Sequence, residues 1–351
     1  MFKSDIWLLL WIGLVALIAY AAKPKKPEAV LGQQTERYNF FFAAVVFLPV
    51  FLFTSLGEIR GDIWAYIIGF ESLDTTVADV FRNWWTNEKG PGFLLIEVLI
   101  KQFVGSDRNS VRIVFGLIQS IPLVLIYRKY SEDYIFSVFL FIASGCYSGW
   151  MMNGLRQFVA SCIIFAALPL LVKRKYVPLI AVILIAMSVH KAALIMIPIV
   201  FLVQFKPWGK ITIISLIVLA VVLYFYVGNS DWMSEETLQS AKGSNPLRIV
   251  IAAIPTVIAF VGRKRIATNN NGLINILVNM SAITVILYTI ASLTSGIMTG
   301  RLPGFTAIYN FILIPYLSKS VFDEKTSKNI RAFFILFFLL YFIFGIITGT
   351  V

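Results

Sequence analysis

Long apolar runs, separated by short polar segments, recur along the whole chain. The runs do not alternate apolar and polar residues as the strands of a membrane barrel do, and many approach the roughly 20 residues that a helix needs to cross a bilayer. They predict an all-α polytopic membrane protein with about twelve transmembrane helices. We place these helices at 6–22, 38–56, 113–127, 134–149, 154–172, 177–189, 192–205, 211–227, 247–262, 273–295, 302–318 and 332–350.

Some apolar segments are shorter than a full crossing requires. Residues 177–189 and 192–205 could form half-length helices that meet at His190 and Lys191. The stretch PGFLLIEVLIKQF at 91–103 is also short, and it carries both an acidic and a basic residue. We therefore predict that it forms a re-entrant or interfacial helix beside a polar cavity.

The basic residues predict which helix ends face the cytoplasm, because short loops rich in Lys and Arg stay inside. The richest loops lie at 23–26, 128–129, 173–175, 206–210, 263–265 and 319–331. With these loops inside, the helices alternate correctly between the two sides of the membrane if residues 57–112 stay outside. We therefore predict that 57–112 is an extracytoplasmic loop with amphipathic and re-entrant helices. The whole chain, 1–351, would form one membrane domain. The basic residues that then fall outside include Arg60, Lys89, Arg108, Arg112, Arg156, Lys191, Lys242, Arg248 and Arg301. An anionic ligand, and phosphate in particular, would explain them.

The composition supports the membrane assignment and limits the chemistry. Hydrophobic residues make up 59% of the chain and charged residues 14%, whereas a soluble domain carries about 25% charged residues. The single histidine excludes a multi-histidine metal site, and the two cysteines, Cys146 and Cys162, give no disulfide framework. We expect no cofactor, no metal ion and no nucleic-acid partner.

The strongest candidate binding residues lie in NGLRQ, at the start of the predicted helix 154–172. Arg156 and Gln157 fall on its first turn, where free N–H groups attract phosphate and where an arginine is unfavourable without an anion. Asn153 can cap this helix through its side-chain oxygen. The alternative is that Arg156 extends along the helix to reach the membrane surface and binds nothing.

Two further candidates come from the predicted outer loop. In EIRGDIWAY, Arg60 could bind a phosphate and Asp62 could accept a proton or hold a sugar hydroxyl. The alternative is a turn with a local ion pair, worth about 0–1 kcal/mol. Lys89, in NEKGPGF, is a weaker candidate, because this stretch is equally typical of a surface turn.

The remaining candidates lie at predicted outer helix ends. His190 adjoins Lys191 at a helix junction, where it could bind or deprotonate a ligand; the equal alternative is a hydrogen-bonded structural role. Arg301 precedes a proline at the start of another predicted helix. With Arg156, it would place arginines at two outer helix starts, which favours a phosphate clamp over isolated loop arginines.

These stretches, in this order, resemble the EpsG/Wzy-type polysaccharide polymerases. The resemblance covers roughly residues 38–320, and its most specific parts are Asn-x-x-Arg-Gln and His-x-x-Ala-Leu. The first motif, Arg…Gly…Asp…Tyr, is more compact here than in the family. The matching residues are Arg60, Gly61, Asp62 and Tyr66; Gly92 and Phe93; Asn153, Arg156 and Gln157; His190, Ala193 and Leu194; and Arg301 with Tyr309.

The resemblance implies a membrane glycosyltransferase of broadly GT-C-like architecture in the bacterial cytoplasmic membrane, with its active site on the extracytoplasmic side. Such enzymes join oligosaccharide repeat units carried on undecaprenyl pyrophosphate, so both donor and acceptor are lipid-linked. They need neither a nucleotide sugar nor a metal. A chain-length regulator protein is a further expected partner.

The resemblance also suggests a role for each candidate. Arg156 and Arg301 would clamp the departing pyrophosphate with Arg60 nearby, and His190 or Asp62 would orient or deprotonate the acceptor hydroxyl. The expected substrate contacts beyond these are Tyr66, Asn153, Gln157, Lys89 and Lys191. Three alternatives remain: a flippase for the same lipid-linked sugars, a ligase that resembles the O-antigen ligases, and a structural membrane protein.

Overall fold

The computed structural model describes residues 3–22, 25–30, 33–59, 61–87, 90–228, 245–269, 271–294 and 299–348. It is 79% helical. Within these ranges, three helices are long and apolar enough to cross a membrane, namely Arg108–Tyr130, Gly272–Leu293 and Glu324–Thr348, and eight apolar helices are shorter. The prediction of a helical membrane protein is confirmed, whereas the twelve crossings and the GT-C-like arrangement stay predictions.

The chain forms two compact units, and the first comprises Met1–Leu194 and Phe333–Val351. Its elements are α1 (Lys3–Ala22), β1 (Lys25–Val30), β2 (Gln33–Tyr38), α2 (Phe40–Leu56), α3 (Ile63–Glu71), α4 (Val77–Arg82), α5 (Pro91–Phe103), α6 (Arg108–Tyr130), α7 (Tyr134–Ala143), α8 (Leu155–Ala166), α9 (Leu168–Val172) and α10 (Tyr176–Val189). A π-helical turn lies at Tyr147–Met151, and a 3₁₀ helix follows α10 at Lys191–Ile195.

The second unit comprises Ile195–Ala332. Its elements are α11 (Met196–Leu202), α12 (Lys210–Gly228), α13 (Leu247–Val261), α14 (Arg263–Asn269), α15 (Gly272–Leu293), α16 (Gly304–Ala307), α17 (Asn310–Ser320) and the start of α18 (Glu324–Thr348). The central helix is α15, which packs against α12, α13, α16 and α17. Buried Asn279 of α15 donates from Nδ2 to the carbonyl oxygens of Val203 (3.1 Å) and Phe205 (2.8 Å).

In the first unit, α6 is the central helix and packs against α2 and α8. Helices α2 and α6 lie so close together at Gly116 that a side chain at this position would overlap the hydroxyl of Ser55 on α2. Aromatic rings fill the neighbouring layer, where Phe141 of α7 lies 6.0 Å from the ring of Phe47 and 6.2 Å from that of Phe158. Small residues and interlocking rings suit helices in lipid, where packing rather than the hydrophobic effect drives association.

Most predicted helices are present, and the differences have local causes. The prediction of a helix at 91–103 is matched by α5, and the helix predicted at 134–149 ends early, at Ala143. The helix predicted at 154–172 is interrupted at Ala167 because Pro169 has no N–H to continue the hydrogen-bond ladder. The structure contains no bilayer, so the outer placement of 57–112 and the single membrane domain stay predictions.

A β-hairpin that the sequence analysis did not predict joins α1 to α2. Its strands pair antiparallel from Lys25 opposite Tyr38 to Val30 opposite Gln33. Arg128, at the end of α6, forms an ion pair with Glu28 on β1 and donates from Nε to the Tyr38 carbonyl oxygen at 2.8 Å. This arginine therefore attaches the hairpin to the central helix of the unit.

We expect Arg128→Ala to destabilise the first unit by about 1–3 kcal/mol, because it leaves a half-buried carboxylate and a backbone carbonyl without their charged donor. The measurement is unfolding by denaturing detergent in micelles. Lys173→Ala, which removes an exposed cation at the end of α9, should leave the midpoint unchanged. Equal midpoints for the two variants would contradict this role for Arg128.

Candidate functional site

The turn between α2 and α3, which the structure describes at residues 57–59 and 61–62, contacts the segment that precedes α8. The side-chain oxygen of Asn153 accepts a hydrogen bond from the Asp62 backbone N–H at 3.1 Å. Gly61 has a φ of +54°, and a Cβ there would come within 2.6 Å of the same oxygen. Glycine thus allows both the backbone conformation and the close approach. Two motifs that lie 91 residues apart in sequence meet at this hydrogen bond.

The prediction that Asn153 caps α8 is wrong. The residue before the helix is Gly154, which provides no side-chain cap, and the Asn153 oxygen is used by Asp62 instead. The first N–H groups of a helix have no partner within the helix, so they remain suited to bind an anion when no side chain caps them. The error came from assuming a local partner for a side chain whose partner is distant.

Arg156, on the first turn of α8, lies over two aromatic rings. Its guanidinium carbon is 5.9 Å from the ring centres of both Tyr66 and Phe93. The two rings contact each other edge to face at 5.7 Å. A ring face attracts a guanidinium through its π electrons, so this contact itself uses none of the N–H donors that bind a phosphate in bidentate fashion. The rings of α3 and α5 therefore help to position this half-buried arginine.

The start of α5 packs against the end of α10. A side chain at Gly90 would come within 2.7 Å of the Val189 carbonyl oxygen, and one at Gly92 would overlap the Ser188 hydroxyl. The adjoining Phe93 stacks on a ring of α6, that of Phe115, at 4.8 Å. The start of α5 thus contacts both the residues before His190 and, through Phe93, Arg156.

His190 ends α10 in an extended conformation. Its backbone N–H donates to the Ala186 carbonyl oxygen at 2.9 Å, and its Nδ1 accepts from the Ala192 N–H at 3.3 Å. When Nδ1 accepts, the proton of a neutral imidazole resides on Nε2. His190 is therefore arranged as a donor through Nε2. The next residue, Lys191, is exposed at the start of the 3₁₀ helix.

The other predicted residues occupy varied positions. Gln157 is buried, 6% exposed, directly after Arg156 on α8. Arg301 belongs to the second unit, where it is half-buried in the turn before α16 and its carbonyl oxygen accepts from the Gly304 N–H at 3.0 Å. Arg60 and Lys89 lie outside the described residues. In the described ranges, no group of three His, Cys, Asp or Glu side chains could hold a metal ion.

One buried arginine, Arg112 on α6, was not among the predicted site residues. It is 8% exposed and donates from Nη2 to the Gly57 carbonyl oxygen at 2.7 Å, where the α2–α3 turn begins. The available signal was its place four residues after Arg108, near the start of a helix long and apolar enough to cross a membrane. Charged residues in such helices are costly and are associated with function.

We expect Asn153→Ala to destabilise the protein by about 1 kcal/mol, because the Asp62 N–H loses its acceptor. Asn153→Asp keeps an acceptor oxygen and should remain close to the parent in detergent unfolding. Asn109→Ala, at an exposed position at the start of α6, is the matched control and should have no effect. A stability of Asn153→Ala equal to that of the control would argue against the contact.

Comparison with known protein families identifies a match over most of the chain. The EpsG family model covers residues 39–351, which is most of the chain and includes every residue of the proposed site. Searches of curated proteins and of solved structures found no significant match. The match begins at the residue that caps α2 and continues to the end of the chain. The resemblance inferred from the motifs is confirmed, and the chain belongs to the EpsG family, a family of Wzy-type polysaccharide polymerases.

Proposed function

We propose that this protein polymerises undecaprenyl-pyrophosphate-linked oligosaccharide repeat units on the extracytoplasmic side of the bacterial cytoplasmic membrane. The observation that supports this most directly is the convergence of helix ends in the first unit. The α2–α3 turn and the starts of α5 and α8 bring residues of the family motifs into contact, and the start of α5 also packs against the two residues before His190. An arginine at an uncapped helix start is an arrangement suited to a phosphate group.

In this proposal, Arg156 stabilises the leaving group. When the glycosidic bond to the lipid carrier breaks, negative charge develops on the pyrophosphate, and a guanidinium can bind two of its oxygens at once. The first N–H groups of α8 add the partial positive charge of the helix start. We assign the same role to Arg301 and to Arg60, so that cationic side chains take the place of a metal ion.

We assign the acceptor side to Asp62 and His190. The acceptor hydroxyl oxygen attacks the anomeric carbon of the donor, and the electron pair of the broken carbon–oxygen bond stays on the pyrophosphate. The hydroxyl proton passes to a base. Because Nδ1 of His190 already accepts from Ala192, we favour Asp62 as the base and His190 as a hydrogen-bond donor through Nε2.

The remaining predicted residues would bind sugars or phosphates or support the site indirectly. Tyr66 lies beside Arg156 and offers both a ring face and a hydroxyl, and a ring face can stack on a pyranose. Asn153 holds the α2–α3 turn, so we assign it an indirect role together with buried Gln157. Lys89 and Lys191 complete the proposed set as cations near the donor phosphates. A chain-length regulator would act on the polymer outside this set.

We expect purified protein in liposomes to convert a synthetic undecaprenyl-pyrophosphate repeat unit into a ladder of products, without nucleotide sugar or metal. Arg156→Ala should slow ladder formation by about 100-fold or more, because it removes the charge that stabilises the leaving group. Arg301→Ala should have an effect of the same order. Arg108→Ala is the matched control, since it removes an exposed arginine at the start of α6, and it should form the ladder at the parent rate.

The assay separates the alternative functions. A flippase would move the lipid-linked unit across the bilayer without extending it, and a ligase would extend nothing until a different acceptor was added. Normal ladders from Arg156→Ala and Arg301→Ala, in a preparation where the parent is active, would show that the clamp assignment is wrong.

A direct displacement predicts inversion at the anomeric carbon. The product linkage should have the anomeric configuration opposite to that of the donor, because the acceptor attacks the face opposite the leaving pyrophosphate. Nuclear magnetic resonance of the isolated dimer of repeat units measures this through the one-bond carbon–proton coupling at the new linkage. Retention would require a covalent glycosyl-enzyme intermediate and would refute the single displacement.

A further inference from the structure

We propose that Arg112 is a positioning residue, which holds the α2–α3 turn in the conformation that presents Asp62. Only the catalytic consequence of this positioning, its effect on glycosyl transfer, rests on the proposed function. Its structural part concerns a buried arginine that hydrogen-bonds the end of α2 and lines a cavity together with the first turn of α3.

Arg112 holds the first end of the turn through two carbonyl groups. Its Nη2 donates to the carbonyl oxygens of Gly57 (2.7 Å) and Thr54 (3.2 Å). Carbonyl groups in the last turn of a helix have no partner within the helix, and the negative end of the helix dipole attracts a cation. One side chain from α6 therefore terminates α2 and fixes the point at which the chain leaves it.

The same side chain also adjoins the second end of the turn. Arg112 lines a cavity of about 20 Å³, roughly the space of one water molecule. Ile63 and Tyr66, on the first turn of α3, line the same cavity. The last residue of the turn is held separately, because the backbone N–H of Asp62 donates to the side-chain oxygen of Asn153. The turn is thus held by Arg112 of α6 and by Asn153, which lies just before α8.

A purely stabilising role does not explain this arginine well. It is 8% exposed, and its Nε is buried with no hydrogen-bond partner in the described part of the chain. Buried N–H groups are paired in the great majority of cases, and a buried cation costs more than a neutral residue at the same place. Retaining a guanidinium here is consistent with a need for its two-carbonyl geometry, or for a water molecule bound by Nε in the adjoining cavity.

The test measures the turn directly. A nitroxide label is attached at Trp64→Cys, an exposed position two residues after Asp62, in the full-length protein; both natural cysteines are buried. Electron paramagnetic resonance should show clearly greater label mobility in Arg112→Ala than in the parent. Arg112→Lys, which keeps a charged donor, should fall between the two. Arg108→Ala, one turn away and exposed, should match the parent.

A second label separates local positioning from general loosening. At Val177→Cys, at the far end of α10 and 83% exposed, mobility should be the same in all variants. Equal mobility at position 64 in Arg112→Ala and the parent, or increased mobility at both positions, would overturn the proposal. If Arg112→Ala does not fold, mobility at position 64 in Arg112→Lys decides, because the proposal requires it to exceed that of Arg108→Ala.

The catalytic consequence is measured apart from the labels. In the ladder assay, Arg112→Ala should lower kcat by about tenfold or more, because small displacements of a reacting group are costly, while KM changes less than about twofold. Arg112→Lys should recover part of kcat. A change confined to KM would contradict positioning of the base. If the parent forms no ladder but the labels behave as expected, the proposed function fails and the positioning role stands.

Discussion

The hydrogen bond from the Asp62 N–H to the side-chain oxygen of Asn153 is the contact on which the first unit's site depends. It brings the α2–α3 turn to the start of α8 and is possible because Gly61 leaves room for it. With this contact in place, Arg156 lies over the ring of Tyr66, four residues after Asp62. The two motifs therefore meet at two contacts, and the first depends on one amide oxygen whose partner is distant in sequence.

The membrane environment explains why the polar groups lie where they do. Helices in lipid satisfy their own backbone groups except at their ends, so the ends are where side chains can bind backbone or ligand. Arg112 uses the end of α2, and Arg156 lies on the first turn of α8, where the N-cap residue Gly154 provides no side-chain cap. Arg112 donates to carbonyl groups, and the guanidinium of Arg156 lies over aromatic rings. Such placements support a site for an anion at converging helix ends.

Sequence patterns predicted most helices because apolar periodicity and length are local properties, and α5 was predicted with its observed bounds. The hairpin was missed because its strands, KKPEAV and QQTERY, are polar and show no alternation that would indicate a buried face. The role of Asn153 was missed for a different reason. Helix capping is a rule about neighbouring residues, whereas the actual partner of Asn153 is Asp62, in the connection between α2 and α3. Arg112 likewise donates to the carbonyl oxygens of Thr54 and Gly57, and no pattern of sequence spacing indicates that these residues are its partners.

Family membership narrows the chemistry, and the contacts in the first unit suggest how this chain could perform it. In the proposed function, a cation over aromatic rings, a carboxylate on the α2–α3 turn and a histidine arranged as a donor are the groups that would displace the pyrophosphate. None of these assignments needs a metal ion.

The most direct test of this account is an electron cryomicroscopy map of the protein bound to an undecaprenyl-pyrophosphate-linked repeat unit. We expect diphosphate density within about 3 Å of the Arg156 guanidinium, at hydrogen-bond distance, with Asp62 and Asn153 in contact as described. Diphosphate density elsewhere, with Arg156 turned towards lipid, would contradict the account.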